Sequence, residues 1–430
     1  MGPARPCIYG MRRLVRNRCV KMRINNVRSE VTIDYINQQV DDYHKLQTGE
    51  REKIKTSDDI TCGKSDKLII RIPCILYMAQ KKNQHYVPQF LLKKFSAGNS
   101  SISKYLIQDN RIISTCSIKR ECSKDYFYSD VKIEEKLSDI ESSNAITIKK
   151  IEEGGLSTIS QVERKHLYAF ILLQDMRTKQ AADDTSQVFE DLKSFLLQKG
   201  VTKDIEEALN KVDTSVKHSV MINLLTFTDI AESIYDLKCK LLVNKTKTVF
   251  ITSDHPVVKY DQFYERIKAP YYSLSSIGIE YILPISPNTA ILLYDGNVYK
   301  IGHRKELTIE INNNEDIDKI NLLTAMYADT SIYFKRESIT LDYLSDLISK
   351  ANEYKTRNKY ELQEVFSDDR SHELLIGHNI SHFCNAKLSF IKELDKMRYF
   401  SMESKYGSHE LNPMRKWCRG LSDKCHNNGM

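Results

Sequence analysis

Three residues of this chain combine a chemically capable side chain with a setting that would fix it in place: His85, Arg177 and Asp254. His85 opens the run His85-Tyr86-Val87-Pro88. Pro88 sets its own φ and steers Val87 to extended geometry, so the imidazole is displayed from a stiff segment. Because imidazole titrates near neutrality it is a natural acid, base or ligand, and capping the next element is its alternative use. Arg177 follows Gln174 by three residues, on the helical face that also carries Leu167, Phe170 and Ala181, so both polar side chains point inward. A buried guanidinium needs a partner, since an uncompensated one costs several kcal/mol. Glu141 or Asp254 would supply it as a salt bridge, the commoner fate of buried arginine, and an anionic substrate would supply it as a ligand. Asp254 stands just past the β-branched and aromatic run Thr248-Val249-Phe250-Ile251-Thr252-Ser253. There a strand would hold a carboxylate rigidly while a loop leaves it accessible, and an Asx-turn ahead of Pro256 is the structural alternative. Ser253 could hydrogen-bond a ligand or the turn, and His255 adds a second imidazole.

A second constellation, His378 with His382 and Cys384, has the i, i+4 spacing of a helical metal pair. Gly377 interrupts any such helix and no Glu stands where a metalloprotease needs one, so the pair reads as coincidence and no metal is expected. Walker, dinucleotide-binding, nucleophile-elbow and kinase signatures are absent, which disfavours nucleotide-driven phosphoryl transfer and α/β-hydrolase chemistry. The residues identify no cofactor.

The elements that must position these groups are legible from periodicity. Ile102 to Ile107 and Arg111 to Ser114, separated by Asp109-Asn110, read as a hairpin. Apolar residues at Ile133, Leu137, Ile140, Ile148 and Ile151 recur at helical spacing until Gly154-Gly155. Ser160-Gln161-Val162-Glu163 has capping-box form and starts a second helix, continuous or broken, toward Leu197. Its stretch Leu167 to Met176 is apolar almost all round, which predicts a central buried element. After Asn244 strands dominate, with helices expected over Glu315 to Tyr327 and Leu341 to Asn352. This order predicts an α+β fold, a helical layer packed on a mostly antiparallel sheet, as a single main domain with poorly structured ends. Residues 1–77 lack sustained periodicity and read as a non-native or disordered extension before a start at Met78. Residues 78–355 form the core domain, and 356–430 a polar, loosely docked tail around Trp417.

Composition narrows the class. With 430 residues, 41% hydrophobic and 28% charged, the chain suits a globular core, and no apolar run is long enough to span a bilayer. The central body's cysteines do not form a disulfide framework and suit a reducing cytoplasm. A net charge of +7 permits contact with phosphate without demonstrating it.

The His85 opening, Ile133 to Glu141, Gln174-x-x-Arg177-Thr178, Phe250 to Pro256, Leu283-Pro284-Ile285-Ser286-Pro287 and Asn321 through Ala328 together resemble the bacterial family called domain of unknown function 4238. The chain departs from that pattern at Lys179, where Pro is frequent, and at His255, where Asn is common. The residues read together give a polar site with His85, Arg177 and Asp254 in catalytic roles and Gln174, Ser253 and Asn321 in ligand binding, and the resemblance adds weight to a functional role for Asp254. The function expected is a hydrolase or nuclease acting on nucleic acid or another anionic ligand. The alternative is a non-catalytic binding or regulatory module of a defence or toxin-like locus.

Overall fold

The computed structural model describes residues 83–427 apart from Asn99 and the stretches 129–130, 199–202, 269–271, 355–359, 367–371, 379–383 and 401–413, together with three short strands before residue 30. Its centre is the helix Gln161–Met176, started by the predicted capping box: Glu163 N–H donates to Ser160 Oγ at 3.2 Å, and Ser160 N–H donates to the Glu163 side chain at 2.8 Å. Residues from Leu167 to Gln174 are all buried, as an all-round apolar stretch requires. The helix stops at Met176, and Thr178 restarts the chain as Lys179–Gln198 by accepting Ala181 N–H at 3.2 Å. The two-residue break at Arg177-Thr178 thus sits in the protein interior, where both residues are 0% exposed. Ahead of it runs the helix Val131–Gly154, ended by Gly155 at φ 80°, a left-handed conformation that glycine adopts without strain.

The main sheet places Val258–Tyr260, Glu280–Ser286, Thr289–Tyr294, Lys238–Asn244 and Thr308–Ile311 side by side, antiparallel except for the last pair. Its strands are buried on both faces, and the two-residue period sorts their side chains. Tyr281, Leu283, Ile285, Ile291 and Leu293 join the core around the central helix. Ile282, Ala290, Leu292 and Tyr294 join a second core with Ile317, Ile320 and Leu323 of the helix Asn314–Tyr327. Helices therefore cover both faces of an antiparallel-rich sheet in one main domain, an α+β architecture. A second, antiparallel sheet carries the predicted hairpin, Ser101–Leu106 with Arg111–Ser117, then Ser331–Phe334 and Thr252–Ser253.

One local reading changes. The strand expected from Thr248 pairs regularly only over Thr252–Ser253. Just before it, the Asn321 amide takes the place of a neighbouring strand, accepting Ile251 N–H at 3.1 Å and donating to the Val249 carbonyl at 2.9 Å. His378 ends the strand His372–His378, in keeping with the reading of its spacing to His382 as coincidence, and His382 lies outside the described residues. That strand pairs with Tyr9–Arg13, while residues 31–77 also lie outside the description. Among the described residues, no helix is long and apolar enough to cross a membrane.

Candidate functional site

The turn after Thr252–Ser253 is held from within. Ser253 Oγ accepts His255 N–H at 3.1 Å and donates to the His255 carbonyl at 2.6 Å, so its hydroxyl is spent on the turn. The Asp254 carboxylate, 4% exposed, accepts four hydrogen bonds. Asp329 N–H reaches Oδ1 at 2.9 Å, and Thr330 N–H, Thr330 Oγ1 and Ser331 N–H reach Oδ2 at 2.8, 2.7 and 3.1 Å. Asp254 therefore fastens the start of Ser331–Phe334 beside the strand that precedes it, Ser253 lying opposite Ile332. Burial pushes its pKa above the ordinary carboxylate value despite these donors.

His255 stands beside it, an extra imidazole by sequence alone. Its Nδ1 lies 2.8 Å from Thr178 Oγ1 and its Nε2 3.2 Å from Asp175 Oδ1. Thr178 Oγ1, which also accepts Ala181 N–H, can give its hydroxyl hydrogen to Nδ1, and Nε2 faces the Asp175 carboxylate. Asp175 Oδ2 faces the Lys259 ammonium at 3.4 Å. Burial raises the Asp175 pKa, but Lys259 and His255 outweigh it and hold the carboxyl at about 2. The Tyr327 ring stacks at a tilt on the imidazole, centroids 5.5 Å apart. A carboxylate, an imidazole and a hydroxyl thus stand in a hydrogen-bonded row at the helix break.

Arg177, the residue before this hydroxyl, is fully buried. Its Nη2 donates to Glu141 Oε1 at 2.8 Å, the partner the sequence suggested, and its Nε to Gln174 Oε1 at 3.3 Å. Burial opposes the guanidinium charge, yet Tyr128 and Glu141 raise its pKa. Its Nη1 has no acceptor among the described residues, and the same is true of Gln174 Nε2.

His85 ends a short strand, Asn83–His85, opposite Ser123. Its carbonyl accepts the Tyr128 hydroxyl at 3.1 Å, and Gln84 Oε1 accepts Tyr128 N–H at 2.7 Å. Gln84 is 0% exposed and its Nε2 is a third donor without an acceptor among the described residues. Tyr128 joins this strand to the helix break: burial raises its hydroxyl pKa and the Arg177 charge opposes that rise.

Tyr128, whose hydroxyl donates to the His85 carbonyl and feels the Arg177 charge, and the Thr178–His255 bond relate the segments of His85, Arg177 and Asp254 along a polar seam. The cavity of about 410 Å³ lined by Gln262, Glu265, Arg266, Asn385 and Glu393 includes none of them. Asn321 does not join the seam's hydrogen bonds. It braces residues 249–251 and donates to Tyr343 Oη at 3.0 Å. Among the described residues no group of three or more His, Cys, Asp and Glu could hold a metal ion. Asp175, Thr178 and Gln84 escaped the sequence reading because Asp175 and Thr178 straddle a helix break, and because Gln84 reads as part of a polar leader.

The family model described as Protein of unknown function (DUF4238) matches residues 83–338, more than half of the chain. No curated protein and no solved structure matches.

Proposed function

We propose that this chain, which belongs to the DUF4238 family, binds its ligand through an anionic group held in the seam by Arg177, Gln174 and Gln84. The carrying observation is a surplus of buried donors. Arg177 Nη1, Gln174 Nε2 and Gln84 Nε2 are each out of contact with solvent and without an acceptor among the described residues. A buried donor left unmade costs roughly 1–3 kcal/mol, and more on a charged group, so three in one seam call for an oxygen-rich occupant. Phosphate, sulfate and carboxylate oxygens match a guanidinium edge flanked by amide N–H groups, and a planar Arg suits them better than Lys would. Glu141 neutralises one edge of Arg177 and leaves the other for the ligand. The mild basic excess of +7 is compatible with phosphate-bearing ligands, nucleic acid among them.

A second reading is hydrolysis of such a ligand, and the Asp175–His255–Thr178 row favours it. An imidazole oriented by a carboxylate and accepting a hydroxyl proton is the arrangement that activates an oxygen nucleophile. Thr178 is fully buried and caps a helix, so the same row also serves as scaffold, and binding takes precedence.

Melting of the wild type and of Gln84→Met and Gln174→Met with inorganic phosphate, sulfate and short RNA and DNA oligonucleotides tests the binding reading. A specific anion at a hundredfold excess over Kd stabilises by roughly 2.7 kcal/mol, and each variant should lose most of that gain. No response of the wild type to any of these anions would sink the proposal and leave the donors to buried water. Cleavage of the same oligonucleotides by the wild type but not by His255→Ala would establish the second reading.

A further inference from the structure

Residues 414–418 lie beyond the family match, yet Arg415 is among the largest fully buried side chains of the molecule, 1% exposed. Its Nε faces both oxygens of Asp236 at 3.2 and 3.0 Å. Its Nη1 donates to the carbonyls of Leu274 at 2.6 Å and Ser276 at 3.2 Å. Its Nη2 donates to the Ser233 carbonyl and lies 3.3 Å from Cys418 Sγ. All five guanidinium hydrogens thus find acceptors, the reverse of the situation at Arg177. The backbone docks as well. Arg415 N–H donates to the Ser275 carbonyl at 2.8 Å, and Met414 forms an antiparallel bridge with Ser276. Trp417 Nε1 donates to the Glu232 carbonyl at 2.8 Å, and Cys418 Sγ lies 3.3 Å from the Ser233 carbonyl.

The acceptors are arranged by the core's own bonds. Ser273 N–H donates to Ser276 Oγ at 2.8 Å, the Ser273 and Ser275 hydroxyls meet at 3.0 Å, and Ser275 N–H donates to Ser273 Oγ at 3.3 Å. This serine network braces the loop whose Leu274 and Ser276 carbonyls both accept from the Arg415 Nη1 group. Ser233 sits on a short helical turn that follows directly from the helix Val216–Ile230.

We propose that the core carries a recognition groove for an extended arginine-bearing segment, and that this chain's own residues 414–418 occupy it as an exchangeable latch. A carboxylate and three carbonyls set around a planar fork select guanidinium over ammonium, because lysine's three donors on one atom cannot reach acceptors spread this widely. The backbone bridge adds the affinity typical of a strand laid along a loop edge.

The test is exchange. A labelled synthetic peptide of residues 414–427 is titrated, by fluorescence anisotropy, into the full-length Arg415→Ala chain and into the wild type. The variant should bind it saturably, and at least tenfold more tightly than a peptide with Lys at the Arg415 position, while the wild type, its groove already filled, binds at least tenfold more weakly than the variant. Should Arg415→Ala not fold, a protease site inserted between residues 405 and 406 gives an independent readout. After the folded chain is cut, the freed tail should stay bound and be displaced by excess Arg peptide but not by the Lys peptide. A folded variant that ignores the peptide, binding that is indifferent to Arg or Lys, or a cut tail that leaves at once would each overturn the proposal.

Discussion

The pair Arg177–Glu141 gives the sharpest test of the seam, because its two members are buried unequally. The Arg177 side chain is 0% exposed and the Glu141 side chain 25% exposed, across a 2.8 Å contact. Glu141→Ala strands a cation with no route to water, and removal of one partner of a buried pair costs roughly 3–5 kcal/mol. Arg177→Met strands only a carboxylate that can rehydrate, gives up one long bond to Gln174 at 3.3 Å, and also removes the unpaired Nη1. Its expected cost is about 1–2 kcal/mol. The double variant loses both charges at once and should lie within about 2 kcal/mol of the wild type, which puts the coupling at roughly 3 kcal/mol. Urea unfolding of the four proteins measures each quantity. Phosphate adds a second readout: Glu141→Ala leaves Arg177 doubly in need of an anion, so phosphate should restore more of its stability than it adds to the wild type. If Glu141→Ala proves no worse than Arg177→Met, or the double variant costs the sum of the two, the guanidinium is compensated elsewhere and the donor-surplus reasoning fails.

Three further outcomes follow from buried carboxyl groups. Glu280 is raised by burial from 4.5 to about 8. With Asp261 Oδ2 and Gln262 Oε1 also lacking donors, a protonated Glu280 is the form the core accepts. That stability is fully present below pH 4.5 and lost as pH rises through 8, at ~1.4 kcal/mol per pH unit or up to ~5 kcal/mol in all, so Glu280→Gln should flatten the pH 5–8 limb of a denaturation profile. Asp175, held at about 2 against an ordinary 3.8, contributes in the opposite sense. Its share, ~2.4 kcal/mol, is present above pH 3.8 and lost as pH falls through 2, and Asp175→Asn should erase that acid limb without touching the alkaline one. Asp254→Asn exchanges one acceptor oxygen for a donor facing backbone N–H groups and should cost roughly 2–4 kcal/mol in urea unfolding; a loss below ~0.5 kcal/mol would mean the four bonds do not brace the strand.

What the sequence made legible was what depends on near neighbours. The capping box at Ser160, the glycine stop at Gly155 and the hairpin around Asn110, which has a positive φ of 46°, all arise within a few residues, and each lies where its local chemistry put it. The buried helix and the pairing of Arg177 with a carboxylate were also within reach, because an arginine on an apolar face has few physical options. What escaped was set by contacts between distant segments. Nothing local marks Asp175 as the partner of His255, 80 residues away, or Thr178 as its other partner, 77 residues away; the spacing of three between Asp175 and Thr178 permits a shared face without naming the imidazole that both meet. Asn321 shows the same limit from the other side. An amide at the start of a resembling stretch invites a ligand, but here it replaces a strand that the chain does not supply, 70 residues away. Arg415 carries this furthest, as one of several basic residues in a polar tail, whose donors meet acceptors on the loop at 273–276, the turn at Ser233, Asp236 and Cys418. Satisfied donors at Arg415 and unsatisfied ones at Arg177, in one molecule, separate a guanidinium used for docking from one still short of an acceptor, and that contrast is why the ligand is placed at the seam and the latch at the groove.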